Sequence, residues 1–211
     1  MKARIVAISD THEQHGQIRV PEGDILVCAG DITINGKPAA IAEFNAWFAA
    51  QPHRHKLLIA GNHDFLFEKD SDYARSLISS SIIYLENSAC EIMGLKFWGS
   101  PVTPWFFDWA FNKQRGEEIR RFWDEIPSDT DVLVTHGPPF GILDKNARGE
   151  NTGCEELCRA LERVRPRLHI FGHIHEGYGI AEQGEMTLIN ACQLDYKYRL
   201  VNEPLVVTLE I

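Results

Sequence analysis

The 211 residues contain no unbroken apolar run of the 18 or more needed to cross a bilayer, so a helical membrane span is excluded. The apolar part of the opening MKARIVAIS is too short for the core of a secretory leader. There is no C-x-x-C. The five cysteines, Cys28, Cys90, Cys154, Cys158 and Cys192, are odd in number, and a chain of this length does not depend on disulfides. Reduced cysteines in a cytoplasmic protein are therefore expected. Positive charge is scarce: 21 Lys and Arg stand against 30 Asp and Glu, a formal charge of −9. That excludes a general nucleic-acid or anionic-membrane surface, so neither a stable nucleic-acid complex nor a membrane partner is expected. Linkers, low-complexity tracts and fixed-period repeats are also missing. Residues 1–211 read as one domain with two sheets, a monomer or small homo-oligomer.

Five short apolar runs share one arrangement. ARIVAI (3–8) leads into SDTH, DILVCA (24–29) into GD, KLLIA (56–60) into GNHD, DVLVT (131–135) into HGPP, and LHIF (168–171) into GHIH. Such runs, closed by glycine and polar residues, predict buried strands with polar clusters at their carboxyl ends, where open α/β sheets carry their sites. Helical spacing falls between them, over 38–50, 72–80, 115–126 and 154–164. In the last of these Cys154, Cys158 and Leu161 share a face, which predicts core packing for both thiols. ACEIMGLKFWG, MTLINA, YKYRLV and LVVTLEI are further strand candidates without helices between them.

Chemistry collects at the strand ends: Asp10, His12, Asp31, Asn62, His63, Asp64, His136, His173 and His175. Asp10 and His12 alternate, as do His173 and His175, so each pair approaches one centre from an extended backbone. Carboxylate, imidazole and amide oxygen together suit Mn, Fe or Zn, and there are enough ligands for two ions. A shared carboxylate would hold such ions about 3.5–4 Å apart. Gly30, Gly61, Gly137 and Gly172 each flank a candidate ligand. The sequence also carries a control. PHRHK (52–56) has the same H-x-H spacing as GHIH but precedes its strand, so His53 and His55 are expected to be solvated, at the opposite end of the sheet. His169, at the start of its strand, is expected to be solvated too. His15 lies in the loop after His12, either near the cleft or away from it.

D-x-H, G-D, G-N-H-D, H-G-P-P and G-H-I-H, in that order across nearly the whole chain, resemble the calcineurin-like metallophosphoesterase superfamily. GSPVTPWFFDWAFN (99–112) and THGPPFGILD (135–144) are similar to its metallophosphoesterase-domain-containing branch, which includes brain-expressed phosphodiesterases and bacterial proteins. The resemblance implies an α/β fold, a two-sheet sandwich flanked by helices in α-β-β-α layers. It implies two divalent metal ions, Mn first, with Fe, Zn, Ni or Co as alternates. Asp10, His12 and His175 would hold one ion, Asn62, His136 and His173 the other, with Asp31 bridging. His63 would face the substrate, oriented by Asp64. Two carboxylates against four positive charges leave the centre locally positive despite the acidic chain. The implied activity is hydrolysis of small phosphodiesters, cyclic nucleotides included, by a hydroxide shared between the ions. Phosphomonoesterase or nuclease action with the same centre, or a non-catalytic scaffold, are the alternatives. GDIT lacks the later acid of some G-D-x-x-D members, which weakens any analogy to protein phosphatases.

The loop 101–111 carries Trp105, Phe106, Phe107, Trp109 and Phe111. Most are expected to pack on the sheet edge, or one stacks on a substrate base. Arg115, Lys145, Asn146 and Arg148 either contact substrate or cap helices.

Overall fold

Each of the five apolar runs forms a strand that stops where its glycine and polar residues begin. The computed structural model describes residues 2–211. In chain order its strands are β1 (Lys2–Ile8), β2 (Ile25–Cys28), β3 (His55–Leu58), β4 (Ile83–Tyr84), β5 (Ser88–Ile92), β6 (Leu95–Ser100) and β7 (Thr103–Pro104). They continue with β8 (Asn112–Lys113), β9 (Val132–Thr135), β10 (Leu168–Phe171), β11 (Gly179–Gln183), β12 (Met186–Asn190) and β13 (Leu205–Glu210). The helices are α1 (Pro38–Ala49), α2 (Phe65–Lys69), α3 (Ser71–Ser76), α4 (Glu117–Asp124) and α5 (Glu155–Val164). Among the described residues no helix is long and apolar enough to cross a membrane.

Two sheets are built, in the orders β13-β1-β2-β3-β4 and β11-β12-β10-β9-β6-β5, beside a small β7-β8 pair. Period-two alternation divides the side chains among three cores. Ile5 and Ala7 of β1 and Val27 of β2 meet Phe97, Val132 and Ile170 of the other sheet in the central layer. Their neighbours Val6, Ile8 and Leu26 turn outward onto Ile41, Phe44 and Phe48 of α1. On the other side Leu133, Phe171 and Leu188 pack on Trp123 of α4 and Leu157 and Leu161 of α5. The layers are therefore α-β-β-α. β1, β2 and β3 run parallel, as do β6, β9, β10 and β12, so their carboxyl ends share one edge. A parallel bridge between Ser9 and Cys192 ties the two sheets together there.

The structure corrects several expectations away from that edge. YKYRLV (196–201) is a turn, not a strand. The Asp195 carboxylate accepts from the Lys197 and Arg199 amides (2.9 and 3.0 Å) and so takes up backbone donors a ladder needs. α3 ends at Ser76, short of the expected 80. His53 is buried rather than solvated, its Nε2 donating to Pro21 O (3.0 Å), although it does lie at the far end of β3 from the polar cluster; His55, the first residue of that strand, is half-buried. His15 is buried against Phe44 and Trp47, away from the cleft. Cys154 is in the core as expected, while Cys158 is half-buried.

His169 is also wholly buried, its Nε2 2.8 Å from Thr135 Oγ1. Burial pushes its pKa down to about 3. The unfolded chain, with an ordinary imidazole near 6.5, binds this proton first, so stability is full above pH 6.5 and falls as pH drops towards 3. His169→Gln is expected to flatten that acid limb. Denaturant midpoints measured from pH 7 to 4 would show the gap between variant and wild type closing as pH falls; a constant gap would contradict the assignment.

Candidate metal centre

The shared edge gathers residues from five strands. Asp10 and His12 follow β1, Asp31 follows β2, Asn62, His63 and Asp64 follow β3, His136 follows β9, and His173 and His175 follow β10. The backbone bends sharply to deliver them: Asp10, His12, Asp31 and His173 adopt left-handed conformations (φ 53°, 38°, 53° and 68°). Each such non-glycine residue costs roughly 1–3 kcal/mol, a strain kept only where surrounding contacts over-determine it. Here they do. The Asp10 amide donates to Gly30 O and the His12 amide to Asp31 O (both 3.0 Å). The His63 amide donates to Asp31 Oδ1 (2.8 Å) and the His173 amide to Asp10 Oδ2 (2.9 Å).

Side chains then converge on two carboxylates. His175 Nε2 lies 3.4 Å from Asp10 Oδ1, and His136 Nε2 lies 3.3 Å from Asp31 Oδ2 and 2.8 Å from Asn62 Oδ1. His12 Nε2 sits between them, 4.0 Å from Asp10 Oδ1 and 3.7 Å from Asp31 Oδ2. His63 Nε2 is 4.0 Å from Asp31 Oδ2. These atoms fall into three donor clusters, Asp10–His175–Cys192, His12–Asp31–His63 and Asp31–His136–His173, of which two share Asp31.

The imidazoles are arranged as metal ligands are. His12, His63, His136 and His175 each place Nδ1 on a backbone carbonyl, that of Thr33 (3.2 Å), Ile34 (2.7 Å), Ala29 (2.8 Å) and Asp195 (2.9 Å). A carbonyl only accepts, so Nδ1 carries the proton and Nε2 is left facing the centre. His12 Nε2 is buried there without a hydrogen-bond partner. An orphaned imidazole nitrogen aimed between two carboxylates fits a cation. Glycine permits the crowding: a Cβ on Gly172 would overlap Asp10 Oδ2 and the Ser9 side chain.

Electrostatics follow from the packing. Burial alone would raise the Asp10 carboxyl, but the His175 hydrogen bond and the His136 and His12 imidazoles hold it well below the usual carboxylate range. Asp31 is likewise lowered, against burial, chiefly by His136. Burial resists charge on His136 and His175, yet the adjoining Asp31 and Asp10 carboxylates hold both pKa values at about 9. His173 is pushed down to about 4 by burial and then by its neighbour His136.

Asp64 does not touch the His63 ring, contrary to expectation. Its carboxylate accepts from the Ile32, Thr33 and Gly61 amides and from Thr33 Oγ1 (2.8–3.2 Å), locking two strand-end loops together. The His63 ring is held instead by Ile34 O, and Trp109 packs on it with centroids 4.2 Å apart. Two site residues were not foreseen. The Cys192 thiol, fully buried, donates to Asp10 Oδ2 (3.0 Å). The Tyr198 ring lies 4.9 Å from that of His12 and 5.1 Å from that of His175.

Of the loop aromatics, Phe111 is buried and Trp109 half-buried against His63. Trp105, Phe106 and Phe107 are 51–64% exposed, so most do not pack on the sheet edge as expected. Arg115 is committed to Thr152 O, Gly153 O and Glu155, bracing the loop before α5. Asn146 caps its own turn through the Arg148 and Glu150 amides.

A layered α/β scaffold with carboxylates and imidazoles at its strand ends is the build of a metal-dependent phosphoesterase, and this chain belongs to the calcineurin-like phosphoesterase family, whose model matches residues 3–177. It is thus a phosphoesterase hydrolase. It is 38% identical over 232 residues to human metallophosphoesterase domain-containing protein 1, an alignment covering 98% of this chain and 71% of the relative. A Caenorhabditis elegans relative, UPF0046 protein K07C11.7, is 38% identical over 96% of this chain and 74% of its own length. The fold is shared by a solved structure that superposes with a TM-score of 0.70 at 17% identity, covering 93% of this chain and 92% of the other.

Proposed function

We propose that this chain is a metal-dependent phosphodiesterase acting on small phosphodiesters, cyclic nucleotides among them, through a dinuclear centre. Asp10, His12 and His175 would hold one ion, Asn62, His136 and His173 the other, with Asp31 shared. Mn is the expected metal, with Fe, Zn, Ni or Co as alternates. The position of Asp31 carries this reading, because its Oδ2 lies 3.7 Å from His12 Nε2 and 3.3 Å from His136 Nε2, one ligand of each proposed ion. When bound, such a pair of ions lowers the pKa of coordinated water and offsets charge on the phosphoryl oxygens.

The chain's own groups supply orientation and a proton. Carbonyl anchors on four imidazoles fix their tautomers before substrate arrives. His63, with Nδ1 committed to Ile34 O and Trp109 against its ring, presents Nε2 to the centre. As imidazolium it gives the Nε2 proton to the departing alkoxide. Asp64 holds the loop from which His63 projects. We read residues 1–211 as one catalytic domain, and its five free cysteines fit a cytoplasmic protein.

The experiment is hydrolysis of bis-p-nitrophenyl phosphate beside p-nitrophenyl phosphate with each metal, followed by a cyclic-nucleotide panel. Diester preference is expected. Strong monoester preference, or no turnover with any of these metals, would sink the reading. Metal uptake carries its own pH signature. His136 and His175, with pKa values of about 9, hold protons at neutral pH that must leave when a metal binds. Affinity should therefore climb as pH rises from 7 to 9, with proton release in calorimetric titrations across buffers of different ionisation enthalpy. A pH-independent affinity would contradict the ligand assignment.

A further inference from the structure

Tyr198 sits at the metal centre without belonging to any of the three apolar cores. Its aromatic neighbours are three imidazoles: His12 at 4.9 Å, His175 at 5.1 Å and His63 at 6.5 Å between centroids. The residue is 46% exposed, and its hydroxyl has no hydrogen-bond partner among the described residues.

The backbone holds this position at a cost. Tyr198 is left-handed (φ 57°), a conformation that glycine or asparagine would adopt with less strain. Three contacts enforce it. The Tyr198 amide donates to Asp195 O (2.8 Å), and Gln14 Nε2 donates to Tyr198 O (3.0 Å). The Asp195 carboxylate organises the turn through the Lys197 and Arg199 amides and the Arg199 Nε (2.8 Å). Asp195 O also receives His175 Nδ1 (2.9 Å), so one carbonyl fixes the imidazole and the phenol beside it. A turn braced this heavily, delivering a large ring to polar surroundings and leaving its hydroxyl unpaired, is a site feature rather than a packing one.

We propose that Tyr198 is a substrate-contacting residue: its hydroxyl donates a hydrogen bond to a phosphoryl oxygen while its ring walls the His12–His175 side of the centre. The ligand chemistry is a phosphoryl oxyanion, and the proposal rests on the metal-centre reading above. A phenol keeps its proton at neutral pH, so the hydroxyl is a donor there. Among the ring-bearing residues here it adds a neutral donor that is not committed to the backbone.

The test compares wild type, Tyr198→Phe and Tyr198→Ala, each loaded with Mn, by calorimetric titration with inorganic phosphate, with Mn affinity measured separately. Tyr198→Phe keeps the ring and removes only the hydroxyl. Phosphate affinity is expected to fall about tenfold in Tyr198→Phe, the usual worth of a hydrogen bond to a charged group, and further in Tyr198→Ala. Mn affinity should stay within about twofold of wild type in Tyr198→Phe, since His175 keeps its carbonyl anchor. Unchanged phosphate affinity in Tyr198→Phe, wild type that binds no phosphate, or Mn affinity falling in step with phosphate affinity would each overturn the proposal. Loss of phosphate affinity in Tyr198→Phe by an enzyme that turns over no diester would support Tyr198 and remove the phosphodiesterase reading instead.

Discussion

Asp31→Asn is expected to lower kcat/KM for phosphodiester hydrolysis about a thousandfold or more, with a loss of thermal stability beside it. The carboxylate would serve both ions, its Oδ2 lying 3.7 Å from His12 Nε2 and 3.3 Å from His136 Nε2, so one substitution removes a negative ligand from each. A loss of about 4 kcal/mol of transition-state stabilisation, of the order supplied by a metal acting on phosphoryl oxygens, corresponds to that factor. Asparagine has nearly the same shape, and its amide oxygen still accepts from the His63 amide, which Asp31 Oδ1 does at 2.8 Å. The change also removes the main charge that keeps His136 at about 9, so part of the stability it contributes below that pH is lost as well. Steady-state kinetics with metal in excess, beside a melting curve, separates the two effects. Activity within tenfold of wild type would mean that Asp31 is not shared between ions.

Gly61→Ala is expected to cost about 3 kcal/mol or more, enough to abolish soluble expression of a marginally stable chain. A Cβ at this position would lie 2.6 Å from His136 Cε1 and would also overlap the backbone nitrogen and carboxylate of Asp31. Backbone cannot move aside as a flexible side-chain tip does, so the clash spreads into both strand-end loops. Gly16→Ala is the control: nothing stands within 4 Å of its added carbon, and a change under about 0.5 kcal/mol is expected. Chemical denaturation of both variants measures the contrast. Equal stabilities would mean that the centre is looser than its close-packed geometry indicates.

The strands were legible because each is a short apolar run with a sharp polar end; LHIF (168–171) forms β10 with the same boundaries. The meeting of Asp10, Asp31, Asn62, His136, His173 and His175 was legible because parallel strands put all their carboxyl ends on one edge. What escaped depends on side-chain competition for the backbone. Tyr198 looked like part of a strand because tyrosines alternate with Lys197 and Arg199 ahead of Leu200 and Val201 in YKYRLV, yet the Asp195 carboxylate captures the amides that would have paired. Asp64 adjoins His63 in sequence, but the loop turns it to four donors on the other side. His53 and His169 looked solvated because they flank strands in polar company; tertiary packing buried both. Cys192 carried no local signal for Asp10, 182 residues earlier, because only the Ser9–Cys192 bridge brings them together.

The most direct test of a shared dinuclear centre is anomalous diffraction from crystals of the Mn-loaded protein. The account predicts two peaks about 3.5–4 Å apart with Asp31 between them. Asp10, His12 and His175 should surround one peak, Asn62, His136 and His173 the other. A single peak, or two that do not share the Asp31 carboxylate, would contradict it.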